Sequence, residues 1–167
     1  ILVVDNASTD DTLAIVRAQF PGVIVLENKE NFGFVAGNNR GIEYALAHGA
    51  DYVFLVNDDT AIEANALEQL VSVGDENEKA GILSPSIGSF FRPDRFYLGG
   101  VIDWRDCEAH EVLARDSTPD LIQTDYAPGA ALLIKTAVIR QIGLLDADYF
   151  SYYEDVDWSV RCQDAGY

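Results

Sequence analysis

The chain opens on an unbroken apolar, β-branched run, Ile1-Leu2-Val3-Val4, which reads as a strand buried on both faces. A polar loop, Asp5 to Asp10, follows. Ser8 with Asp11 three residues later resembles a capping box, and Leu13, Val16 and Phe20 then recur at helical spacing until Pro21-Gly22 stops the helix. Val23 to Leu26 is a second short strand. Residues 28–39, rich in Asn and Gly, read as a loop. A helix follows through Ile42, Ala45 and Leu46 and closes at Gly49. Tyr52 to Val56 is the strongest strand pattern and runs directly into Asn57-Asp58-Asp59-Thr60. A helix from Glu63 to Val73 ends at Gly74, and Gly81 to Ser84 is a further strand. Ser86 to Asp125 has weak periodicity and reads as irregular structure with short strands. Ala131 to Lys135 is a strand, Thr136 to Ile142 a helix stopped by Gly143, and Tyr152 to Ala165 a last helix.

Strand and helix alternate up to Ser84. That order predicts an α/β fold, a three-layer α/β/α domain whose central sheet is mostly parallel. The length of 167 residues suits a single domain over 1–167 with a substantial core, and 49% hydrophobic residues argue against disorder. Both ends read as cut from a longer protein, since the first residue already lies in a strand. A net charge of -17 disfavours a nucleic-acid partner, since phosphate binding needs a basic surface. No apolar run approaches the ~20 residues of a membrane span. Cys107 and Cys162 have no metal-ligand spacing and suit a reduced compartment as small packed apolar groups; His48 and His110 read as surface or structural residues.

Charge matters most where acidic residues follow strands, because open α/β sheets bind ligands beyond the carboxyl ends of their strands. Asp58 and Asp59 stand side by side after Val56. Adjacent carboxylates repel unless a cation or a proton intervenes, and a hard divalent ion bridging to phosphate oxygens would satisfy them. The competing reading is the polar start of a helix, where Asp and Thr are favoured anyway. A further acidic cluster, Glu154-Asp155-Val156-Asp157, follows the aromatic run Tyr149-Phe150-Ser151-Tyr152-Tyr153. An aromatic face that packs on sugar C–H groups beside a carboxylate that takes a hydroxyl proton is one reading. Carboxylates favoured by a helix dipole, next to core aromatics, is the other.

The segments Val4 to Asp10, Asn31-Phe32-Gly33-Phe34, Gly37-Asn38-Asn39-Arg40-Gly41, Asn57-Asp58-Asp59-Thr60, Gly129-Ala130 and Gly143 to Arg161, in this order and spacing, resemble family 2 glycosyltransferases, the rhamnosyltransferase-like branch in particular. The resemblance implies the glycosyltransferase A fold. It also implies an inverting transfer of a sugar from a nucleotide-diphospho-sugar donor to an acceptor hydroxyl, as in cell-surface polysaccharide synthesis. Residues 1–84 would form the nucleotide-sugar-binding half and 85–167 the acceptor-binding half. Asp5 looks like the residue that contacts the base, with Asn6, Asn31, Gly33, Asn39, Asn57 and Asp58 also on the donor side. Asn57-Asp58-Asp59 looks like the family's Asp-any-Asp metal motif, with Asn in the first place. That leaves Asp59, with Asp58, to hold Mg2+ or Mn2+. Many relatives carry Arg-Asn where this chain has Asn38-Asn39. Glu154-Asp155 looks like the motif of the catalytic base: Asp155 would deprotonate the acceptor hydroxyl and Glu154 would orient it, or the two roles are exchanged.

The resemblance further implies a saccharide or lipid-linked saccharide acceptor and a cytoplasmic location, extending to the inner face of the cell membrane. Phe90-Phe91 beside Arg92 and Arg95 suits peripheral membrane contact, against the competing reading of a loop packed on the core. Two other classes share some of these features. A nucleotidyltransferase that makes a nucleotide sugar needs a glycine-rich, basic loop near its first strand, which is not visible. A receiver-like, non-enzymatic domain needs a lysine at a late strand end, for which Lys135 is a poor candidate, and it gives Glu154-Asp155 no role.

Overall fold

A computed structural model describes residues 1–115 and 120–167. The chain forms two compact units, one of residues 1–50 with 144–154, the other of 51–143 with 155–167.

In the first unit β1 (Leu2–Asp5) pairs in parallel with β2 (Ile24–Glu27), Leu2 opposite Ile24 and Asp5 opposite Glu27, and α1 (Thr12–Gln19) makes the crossover. The expected capping box does not form. Asp11 is the N-cap with no side-chain bond, and Asp10 Oδ1 instead accepts from the Thr12 N–H at 3.0 Å and from the Thr12 hydroxyl at 2.6 Å. The next helix, α2, runs from Gly33 to Ala47, so it begins well inside the stretch that reads as a loop. Its buried positions include Gly33, Gly37, Val35 and Ile42. Side chains at 33, 37 and 41 lie on one helix face, and all three are glycines. A Cβ at Gly37 would stand 2.9 Å from Asn6 Nδ2, one at Gly41 3.2 Å from Val4 Cγ2, and one at Gly33 2.7 Å from the Phe150 ring. This glycine face carries no apolar side chain, and the buried Val35 and Ile42, seven residues apart on another face, are too few to announce the first turns by hydrophobic periodicity.

In the second unit β3 (Tyr52–Val56), α3 (Ala66–Glu76) and β4 (Ile82–Leu83) follow in order. Gly74, expected to end α3, lies inside it and lets the helix approach Tyr52, whose hydroxyl a Cβ there would meet at 2.8 Å. Ser86 to Asp125 is more regular than expected: among its described residues, β5 (Ile87–Ser89), β6 (Arg92–Asp103) and β7 (Glu108–Arg115) form an antiparallel sheet in the order β5-β6-β7. Residues 116–119 of that stretch lie outside the described residues. β8 (Ala131–Lys135), α4 (Thr136–Ile142) and α5 (Glu154–Asp164, mostly in this unit) complete the chain.

The expectation of a mostly parallel central sheet is corrected here. The β1–β2 pair is parallel, but β3 and β4 both pair antiparallel with β8, in the order β3-β8-β4, and β1 and β3 belong to different sheets. Because β3 and β4 both oppose β8, they run in the same direction, as a strand–helix–strand crossover requires. The alternation in the sequence gives their direction, but not the later strand that inserts between them. β8 is the centre of this unit's core: Ala131, Leu132, Leu133 and Ile134 are at most 1% exposed, with Val138, Ile139 and Trp158 also buried. A strand covered on both faces must read as a continuous apolar run, and Ala-Leu-Leu-Ile does.

Candidate functional site

The first unit gathers the asparagine-rich motifs around the end of β1. Asp5 is buried, and both of its carboxylate oxygens accept from the Ser8 N–H, at 3.2 and 3.3 Å, which folds residues 5–8 into a tight loop with Ala7 at φ 62°. Asn6 donates to the Gly33 carbonyl at 3.0 Å and accepts from Asn28 Nδ2 at 2.7 Å, and Asn28 in turn accepts from Arg40. Asn31 Oδ1 accepts from the Gly33 N–H at 2.9 Å. The Phe34 N–H at the start of α2 donates to the Phe150 carbonyl at 3.1 Å. Asn39 clamps the backbone of Leu145, donating to its carbonyl at 2.8 Å and accepting from its N–H at 3.0 Å. The structure thus joins Asp5, Asn6, Asn31 and Gly33 through Asn28, while Asn39 makes a separate clamp on Leu145. Asn6 and Asn39 both spend their amides on holding loops of this unit.

Among the aromatics that precede α5, Phe150, Tyr152 and Tyr153 are 66%, 81% and 57% exposed, so they are not core. Tyr152 and Tyr153 are consecutive non-glycine residues at φ 71° and 68°. Such conformations cost of order 1–2 kcal/mol each and persist only where the surroundings impose them. Glu154, the first residue of α5, is buried.

The second unit holds the other acidic motifs. Asn57 to Thr60 form a turn closed by the Thr60 N–H donating to the Asn57 carbonyl at 3.2 Å. Asp58 and Asp59 are exposed on it, and among the described residues neither carboxylate has a hydrogen-bonding or ion-pair partner. The β3–β8 ladder extends one step beyond the strands: the Asn57 N–H donates to the Ala130 carbonyl at 3.0 Å. On the neighbouring residue, the Gly129 N–H donates to Asp155 Oδ2 at 2.8 Å. The dipeptide Gly129-Ala130 is therefore bonded to the acidic turn at one end and to the Asp155 carboxylate at the other, and its two Cα atoms are about 3.8 Å apart. Asp155 Oδ1 accepts from the Val156 N–H at 2.9 Å. Each carboxylate oxygen has two lone pairs, so both keep one for another donor. One turn along α5, the buried Ser159 hydroxyl accepts from the Ala127 N–H at 3.2 Å and pins the same loop.

Sequence reasoning missed a pair of tyrosines, Tyr97 and Tyr126, of which Tyr97 feels the charge of this carboxylate. The ring of the buried Tyr126 lies over Gly100, where a Cβ would be 2.0 Å from it. The Tyr97 hydroxyl is held strongly in its protonated form, first by burial, then by its hydrogen bond with Tyr126 and by the negative charges of Glu111 and Asp155. A protonated hydroxyl is thus kept in the neighbourhood of the Asp155 carboxylate. The Gly99-Gly100 pair was the visible signal, since adjacent glycines in a strand mark a bulge or a close approach, and the β6–β7 register does shift between Tyr97 and Gly100.

Other expectations resolve plainly. Trp158 is fully buried and donates to the Gly143 carbonyl at 2.9 Å, so it belongs to the core. Asp157 and Arg161 pair at 2.6 Å, as their spacing predicts. His48 stacks on Tyr44, and His110 lies 3.7 Å from Glu108. Cys162 is buried, and burial pushes its thiol up to about 11, whereas Cys107 is exposed on a turn and does not pack as expected. A groove of about 1330 Å3, bordered by Gln69, Leu83, Gln123 and Ser159 among others, contains none of the sequence-predicted site residues. Among the described residues no helix is long and apolar enough to cross a membrane.

Comparison with known proteins places these motifs in context. A family model described as glycosyl transferase family 2 matches residues 1–140. The N-acetylglucosaminyl-diphospho-decaprenol L-rhamnosyltransferase of Mycobacterium tuberculosis is 28% identical over the whole of this chain, which spans 62% of that protein's length. The dTDP-rhamnosyl transferase RfbF of Shigella flexneri is 24% identical over 99% of this chain and 54% of its own. The solved structure of GalNAc-T7 with UDP, GalNAc and Mn2+ matches with a TM-score of 0.76 at 16% identity, over 99% of this chain and 35% of that one. The mannosyltransferase PcManGT of Pyrobaculum calidifontis, in complex with GDP-Man and Mn2+, matches with a TM-score of 0.69 at 18% identity, over 99% and 43%. The chain therefore shares the glycosyltransferase A fold.

Proposed function

The chain belongs to glycosyl transferase family 2, and from that premise we propose that it forms the catalytic part of an inverting glycosyltransferase. The enzyme moves a sugar from a nucleotide-diphospho-sugar to an acceptor hydroxyl in cell-surface polysaccharide synthesis. The observation that carries the reading is the Gly129-Ala130 dipeptide, bonded to the Asn57 turn and to the Asp155 carboxylate at once. It ties the acidic turn suited to a leaving diphosphate to the carboxylate suited to an incoming hydroxyl.

Asp155 takes the proton of the acceptor hydroxyl as that oxygen attacks the anomeric carbon. The bond to the nucleotide diphosphate breaks on the opposite face, so one displacement inverts the anomeric configuration. Asp59 and Asp58 would hold Mg2+ or Mn2+. The fit is chemical: two exposed, adjacent hard-oxygen donors, whose mutual repulsion among the described residues is not relieved by a basic side chain. No cluster of three or more such ligands is present among those residues, and a site of one or two carboxylates completed by phosphate oxygens is the usual Mg2+ arrangement. When bound, the ion neutralises charge on the departing diphosphate.

On the donor side, the family resemblance assigns Asp5 and Asn31 of the first unit, and separately Asn57 of the second, to the nucleotide sugar, while Asn6, Gly33 and Asn39 shape the loops of the first unit. The exposed rings of Phe150, Tyr152 and Tyr153 offer apolar faces to sugar C–H groups, and Glu154 orients the acceptor. Residues 1–84 serve the donor and 85–167 the acceptor. A lipid-linked saccharide as acceptor follows the name of the mycobacterial relative, and with such an acceptor the enzyme would work at the inner face of the cell membrane. The test is a panel of nucleotide sugars offered to the full-length protein with Mn2+. Release of nucleoside diphosphate is expected; release of pyrophosphate from a nucleoside triphosphate would move the protein to the nucleotidyltransferases.

A further inference from the structure

The β5–β6 hairpin ends in a two-residue turn. Ser89 pairs with Arg92, and Phe90 and Phe91 fill the positions between them. Such turns favour Gly, Asn and Asp. Here the rings stand 77% and 96% exposed, so this is not a loop packed on the core. The Phe91 N–H is held by the Ser89 hydroxyl at 3.3 Å, which fixes the apex without help from either ring. Arg92 follows at once, and Arg95 lies opposite Arg115 in the β6–β7 ladder. Like charges directly opposite on paired strands are unfavourable. Three of the chain's 11 basic residues thus collect at one hairpin end of a protein with a net charge of -17, with Asp94 among them. Neither the apolar apex nor the facing arginines helps the isolated fold, and both would be relieved by a surface that is apolar below and anionic above.

We propose that the Phe90-Phe91 apex, with Arg92, Arg95 and Arg115, docks on an anionic lipid bilayer, the rings entering the interface and the guanidinium groups meeting lipid phosphates. A second copy of the chain would bring the same arginines against each other. A protein partner would need roughly 800 Å2 on each side for a stable interface, whereas two phenylalanines supply only about 300–500 Å2. A bilayer needs no matching surface, and the arginine stems can lie along it with their charges at headgroup level.

The test is co-sedimentation of the full-length protein with vesicles of phosphatidylcholine and phosphatidylglycerol at about 7:3, and with phosphatidylcholine alone. Partition into the mixed vesicles is expected, falling as salt rises. Phe90→Ser with Phe91→Ser, and separately Arg92→Gln with Arg95→Gln, should each lower it about tenfold or more while leaving the melting curve unchanged. Equal partition into both vesicle types, no partition into either, or wild-type partition by both variants overturns the proposal. So does a phenylalanine variant that loses self-association in the ultracentrifuge while still binding vesicles, since the occupant is then a second copy. No sugar transfer is read, so the outcome is independent of the enzymatic assignment.

Discussion

Replacing Asp155 by Asn separates what this side chain holds from what it does. In the protein its two oxygens accept from the Gly129 N–H at 2.8 Å and the Val156 N–H at 2.9 Å. An Asn offers one acceptor oxygen and one NH2, so one backbone donor is left facing another donor. Losing a hydrogen bond to a charged acceptor costs about 1.5–3 kcal/mol. Since Asp155 is only half-buried, the low end applies, and water takes up part of the loss. At about 2–4 °C per kcal/mol for a domain of this size, the melting temperature should fall by roughly 3–6 °C. The protein then stays folded at 25 °C, and the Gly129-Ala130 dipeptide keeps its bond to Asn57. Loss of a general base removes ~10²–10⁴ in rate, or about 3–5.5 kcal/mol of barrier. Single-turnover transfer with saturating donor should fall by that factor, while calorimetry should find donor affinity within about twofold of wild type. Wild-type transfer by Asp155→Asn refutes the assignment, and a dead Glu154→Gln beside it moves the base one residue back along the chain. A parallel loss of donor affinity would mean that the bond to Gly129, not the proton, was the function removed.

Asp59→Ala should abolish Mn2+-dependent donor binding in calorimetry, with a milder effect from Asp58→Ala; unchanged affinity in Asp59→Ala would count against the metal site. Gly37→Ala sets a Cβ 2.9 Å from Asn6 Nδ2, so despite the better helix propensity of alanine it should cost about 1–3 kcal/mol, visible as a lower denaturant midpoint at an unchanged slope. Only one of the two cysteines should react with a thiol reagent at pH 8 in the folded protein, namely the exposed Cys107. The Cys162 thiol, raised to about 11 by burial, should appear only on unfolding.

Much of the fold was legible where one rule dominated. Tyr52–Val56, Ala131–Lys135 and Thr136–Ile142 match the pattern residue for residue, because buried strands read as apolar runs and Gly143, at φ 85°, ends its helix. The first turns of α2 were hidden because one packing face is glycine and the other buries a lone Val35 there. The long strand β6 was hidden because Pro93 falls in the irregularity of the β5–β6 pairing and Gly99-Gly100 breaks the alternation of sides. The acidic motifs could be named from the sequence, but their linkage could not. The bond from Gly129 to Asp155 spans 26 residues and the clamp of Asn39 on Leu145 spans 106, and no local pattern encodes either.

The glycine face of α2 also bears on how this part of the molecule breathes. Gly37 and Gly41, inside a helix of 15 residues, cost about 1–2 kcal/mol of intrinsic helicity relative to alanine, so the helix leans on docking, with its backbone close against Val4 and Asn6. A helix of that kind has little life of its own once undocked. Its amides should not exchange with solvent by fraying turn by turn from the Gly33 end, but together with those of β1, in one opening event of a common free energy. Deuterium uptake would then report the N-terminal strand and this helix as one cooperative block, and anything that bound at the end of β1 would slow exchange along the whole of α2.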